Sequence, residues 1–106
     1  MKIEYDLCSV MALDAFAKQY DLTMQVVERH PPYDKHGKYL ARLKNVELKT
    51  GAILESVYSN GETIEEAIKG YCKAISHKRL VVNAYKDTRT EVTTPTITPI
   101  WTEEAI

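Results

Sequence analysis

Apolar positions fall first into helical spacing: Leu13, Phe16, Ala17 and Tyr20 recur at i, i+3, i+4 and i+7 and share one face of a helix predicted from Val10 to Tyr20. Ser9 suits its N-cap and Asp21 its exit turn. The pattern then changes to alternation. Over a first strand from Leu22 to His30, Leu22, Met24 and Val26 point one way and Thr23, Gln25, Val27 and Arg29 the other. Pro31-Pro32-Tyr33-Asp34-Lys35-His36-Gly37 cannot continue a ladder and reads as the loop to an antiparallel neighbour. That second strand begins near Lys38, with Tyr39, Ala41 and Leu43 on one face and Leu40, Arg42 and Lys44 on the other. The apolar phase slips after it, to Val46 and Leu48, so a bulge is expected near Lys44-Asn45. Lys49-Thr50-Gly51 turns the chain into Ala52 to Ser59, the third strand of a meander.

Asn60-Gly61 reads as a turn, and Thr63-Ile64-Glu65-Glu66 as a capping box in which Thr63 caps the Glu66 amide and Glu66 reaches back. A second helix starts there, with Ile64, Ala67, Ile68, Tyr71, Cys72 and Ile75 as its apolar stripe and Glu65, Lys69 and Lys73 outside it. Arg79 to Tyr85 and Arg89 to Thr93 suit a further hairpin through Lys86-Asp87-Thr88. From Thr94 the period is lost. Residues 1–93 are therefore expected to form a single α+β domain and residues 94–106 an extended, flexible tail that includes Trp101. The fold expected is one antiparallel β-sheet of three to five strands with two helices packed on its Tyr39, Ala41 and Leu43 face. Phe16, Met24, Val26, Ile68, Cys72 and Ile75 are expected in the core.

Composition narrows the setting. A chain of 106 residues, 44% hydrophobic and 27% charged, fits one soluble domain with a modest core. It holds no apolar run near the ~20 residues that cross a bilayer. Met1-Lys2-Ile3-Glu4-Tyr5-Asp6 lacks the order of a signal peptide, so a cytoplasmic location without membrane association is expected. A formal charge of −1 provides no global basic field for nucleic acid. Cys8 and Cys72 are too few for a disulfide framework and read as free thiols.

The residues that carry chemistry are sparse. His30, His36 and His77 lack neighbours at zinc-ligand spacings, and His30, His36 and Asp34 in a loop are more often solvated than metal-bound. Cys72 with His77 could form a nucleophile and base pair only if the thiol were exposed, whereas its stripe makes it a small hydrophobe. Glu65 and Glu66 complement the helix start and would repel a phosphate there. Neither an enzyme nor a cofactor is expected. One local bias remains: between Asp34 and Lys49 the cations Lys35, Lys38, Arg42, Lys44 and Lys49 face only the acids Asp34 and Glu47. Together with Arg29, the residues Lys35, Lys38, Leu40, Arg42 and Lys44 make a candidate surface for a protein partner or for nucleic acid. A charged face that keeps a sheet soluble explains the same pattern.

The order helix, three strands, helix over Val10 to Ile75 resembles the double-stranded-RNA-binding domain, in which the first helix, the loop between the first two strands and a lysine cluster at the last helix touch RNA. Here His36 lies in the loop, and Glu65 and Glu66 stand where the lysines would be. Tyr39-Leu40-Ala41-Arg42-Leu43 followed by Gly61-Glu62-Thr63-Ile64-Glu65-Glu66-Ala67-Ile68 is similar to HicB-type antitoxins. Phe16-Ala17, Leu22-Thr23-Met24, the same Gly61 to Ile68 run, Ile75-Ser76, Leu80-Val81-Val82, Asp87 with Arg89, and Pro95 resemble small proteins encoded in phages and prophages. That resemblance implies a phage setting and no mechanism; small phage proteins of this size commonly act by binding a host or phage protein, and inhibition of host defence nucleases such as CRISPR effectors is the class expected by analogy.

Overall fold

In the computed structural model, which describes residues 10–30 and 37–101, the capping box forms as the sequence predicts. Thr63 Oγ1 accepts the Glu66 amide at 3.1 Å, and the Glu66 carboxylate accepts the Glu62 amide at 2.9 Å. The first satisfies a donor that the helix start leaves open, and the second ties the residue before the cap to the first turn. The helix so begun, α2 (Ile64–Ile75), buries Ala67, Ile68, Tyr71, Cys72 and Ile75, while Ile64 stays largely exposed at its first turn. It lies on β3 (Tyr39–Leu43) and β6 (Ser59–Gly61). Asn60-Gly61 is thus strand where a turn is expected. Close approach explains the glycine: a Cβ at Gly61 would sit 2.5 Å from the Ala67 amide nitrogen, and one at Gly70 would collide with the Ser59 hydroxyl.

The single sheet is corrected: the strands form three sheets. β2 (Met24–Glu28), β3 and β6 make one antiparallel sheet in that order. β4 (Val46–Thr50), β5 (Ile53–Ser56), β7 (Arg79–Val82) and β8 (Thr90–Thr93) make another, in the order β5-β4-β7-β8. The expected bulge at Lys44-Asn45 is a corner at which the chain leaves one sheet for the other. Asn45 takes a left-handed φ of 64° there. The third meander strand is split as well, so that β5 pairs with β4 and, beyond Val57-Tyr58, β6 pairs back with β3. Backbone bonds carry both ladders up to the corner, from the Lys44 amide to the Thr23 carbonyl and from the Asn83 amide to the Asn45 carbonyl. The phase slip is what lets Leu43 and Val46 face one core from either side of the bend.

The N-terminal helix is shorter than predicted. Val10–Ala12 form β1, which pairs in parallel with β9 (Thr96–Thr98), and α1 covers only Leu13–Gln19. Ala12 is its N-cap, without a side-chain bond, and Ser9 lies outside the described residues. Long-range pairing with β9 outweighs the local helical period at Val10-Met11-Ala12. Leu13, Phe16 and Ala17 enter the same core as Ala41, Leu43 and the α2 stripe, with Met24 at its margin and Val26 only half-buried. The segment from Thr94 to Trp101, expected to trail from the domain, is docked. Ile97 is 3% exposed, its amide donates to Ser76 Oγ, and the Thr94 hydroxyl donates to the Ile75 carbonyl. β7 and β8 form the expected hairpin. Among the described residues no helix is long and apolar enough to cross a membrane.

Candidate functional site

The face of the β2–β3–β6 sheet turned away from α2 is set by register. Gln25 lies opposite Arg42, Val27 opposite Leu40, and Leu40 opposite Asn60. Val27 is 39% exposed and Tyr58, just before β6, 52%, while Leu40 and Arg42 are half-buried between them. Arg42 Nε donates to Gln25 Oε1 at 2.8 Å, which ties the guanidinium to the neighbouring strand.

The remaining sequence-predicted residues do not complete a basic stripe. Lys38 forms an ion pair with Glu28 at 3.3 Å and lies over the Tyr39 ring, and the Glu28 carboxylate holds its pKa above the ordinary lysine value. Arg29 Nη1 donates to the Gly37 carbonyl at 3.3 Å. Lys44 is exposed at the corner, beyond the end of β3. Lys35 lies outside the described residues. Arg42 and Leu40 are therefore brought together with Val27, and the lysines are not. Tyr58 escapes the sequence reading because Ala52 to Ser59 looks like one strand. Its alternation with inward Val57 becomes meaningful only once that strand is split.

Cys72 and His77 do come to one place, along a groove between α2 and β9. Their chemistry differs from that of a catalytic pair. Burial pushes the Cys72 thiol up to about 11, so it stays protonated at neutral pH, and the His77 ring Nε2 is 2.7 Å from Thr96 Oγ1. Among the described residues no three His, Cys, Asp or Glu side chains converge as a metal site would require. His36 and Asp34 lie outside those residues. The groove holds about 610 Å³ and is lined by Cys72, Ile97 and Pro99 with Lys69 and Lys73 on its helical wall. A second hollow of about 390 Å³, bounded by Ile64, Ile68, Lys69, Pro99 and Trp101, adjoins it.

A polar depression of about 320 Å³ sits at the end of α1, between Tyr20, Asp21, Asn83 and Lys86. Asn83 is structural there, its Nδ2 donating to the Tyr20 carbonyl at the helix terminus. No family model matches the chain, and no curated protein or solved structure is significantly similar to it.

Proposed function

We propose that the chain is a non-enzymatic binding protein that docks a protein partner on the face of the β2–β3–β6 sheet turned away from α2. One observation carries this reading: Val27 and Tyr58 expose apolar surface on either side of Leu40 and an Arg42 held by Gln25. Aromatic, aliphatic and arginine side chains with few lysines suit the buried centre of a protein interface. Nucleic-acid binding through the same face has less support. Phosphate contacts need cations free to meet a backbone, and Lys38 is spent on Glu28. The resemblance to phage-encoded proteins favours a host or phage protein as the partner and inhibition of a host defence system as the role.

Site-specific photocrosslinking tests this proposal. A crosslinker at position 58 is expected to trap one stoichiometric protein from phage-infected cells, and Leu40→Asp with Arg42→Glu to abolish trapping. A crosslinker at Tyr85, 87% exposed between β7 and β8, is expected to trap none. Equal trapping from both positions would sink the proposal. Retention of oligonucleotides that falls more than about tenfold between 50 and 200 mM salt would support the nucleic-acid reading instead.

A further inference from the structure

The groove between α2 and β9 has two unlike walls. On one, Lys69 and Lys73 follow each other by a helical turn, and among the described residues neither forms an ion pair. On the other stands the exposed Pro99, with Ile97 and Cys72 buried beneath the floor. One acidic residue, Glu66, lines the groove, its carboxylate held by the Glu62 amide, and Glu65 lines the adjoining hollow. Both lie in the first turn of α2, leaving the end toward Ser76 and His77 with cations only. Four residues along a helix advance ~6 Å, and alternate residues of an extended chain are ~6.6 Å apart. A strand carrying carboxylates at alternate positions therefore matches the two ammonium groups in spacing. Its intervening side chains point the opposite way, toward Pro99.

From this match of charge and spacing we infer that the groove is a second binding site, separate from the sheet face, for an extended acidic segment of another protein in which carboxylate and apolar residues alternate. Carboxylates of the occupant sit at the C-terminal half of α2. Its apolar side chains cover Pro99.

Trp101, the one tryptophan of the chain, borders the adjoining hollow and serves as reporter. A capped octapeptide alternating glutamate with valine is titrated against the whole protein, with the lysine and valine octapeptide as control. The acidic peptide is expected to produce a saturable change in Trp101 fluorescence and to shift the amide resonances of Thr96–Thr98, and the basic one neither. Lys69→Glu with Lys73→Glu should weaken the acidic peptide roughly tenfold, because two surface pairs become repulsive. Arg42→Glu on the sheet face should leave that affinity unchanged, so this site and the sheet-face proposal fail separately. Failure of the acidic peptide to saturate, equal binding of the basic peptide, or an undiminished affinity in the folded double variant would each overturn the inference.

Discussion

Cys72 shows how one environment decides a residue's chemistry. The thiol is 2% exposed, and desolvation raises its pKa to about 11. At pH 8 only about one molecule in a thousand carries the thiolate. In a Cys8→Ser background, labelling by a thiol reagent should therefore be slower in the folded chain than in urea by two orders of magnitude or more. Comparable rates would mean that the thiol is accessible. The same shift links stability to pH. The folded thiol keeps its proton beyond the unfolded value of ~8.5, so its contribution is complete below that pH and is lost as pH rises through about 11. The stability advantage of the parent chain over Cys72→Ala should accordingly shrink between pH 8.5 and 11, read from urea midpoints. Tyr71, whose hydroxyl is also pushed up by burial, adds the same sign at higher pH in both chains.

Among the elements, the corner at Lys44-Asn45 does most to shape the fold. Asn45 holds φ at 64°, a conformation that asparagine tolerates and a β-branched residue does not. Asn45→Val should cost about 1–2 kcal/mol in a denaturant melt, and Asn45→Gly should be nearly neutral. A neutral Asn45→Val would show that the corner does not depend on that backbone conformation. The helix α2 is legible in the sequence, because its cap and stripe are local and reinforce each other, with only Ile64 at the head of the stripe left exposed. The corner was legible only as a slip of phase. A one-residue bulge and a change of sheet displace the apolar pattern alike, and only the choice of neighbours distinguishes them: β2 beside β3, and β7 beside β4. The candidate sheet face shares this division. Its alternation placed Leu40, Arg42 and Val27 together, whereas the pairing of Lys38 with Glu28 depends on the β2–β3 register.

For the whole molecule, the segment from Thr94 to Trp101 closes the structure rather than trailing from it. Ile97 reaches the core, and β9 ties β1 at the start of the described chain to the end of α2. Ile97→Ala should lower global stability by about 2–4 kcal/mol in one cooperative transition. A loss below about 0.5 kcal/mol would show that β9 contributes little to the cooperative unit. Nothing in the local sequence announces this role, since Thr96-Ile97-Thr98 is too short to show a period and its parallel partner lies more than eighty residues away. Sequence by itself determined what short-range physics controls: the α2 stripe and cap, the alternation of β2 and β3, the β7–β8 hairpin, and the inward place of Cys72. Tertiary structure decided which strands share a sheet, that Val10–Ala12 leave the helix for β9, and that Lys69, Lys73 and Pro99 line one groove. Those outcomes rest on pairings between distant segments, where hydrogen bonds and burial shared by both partners outweigh the local preference of either.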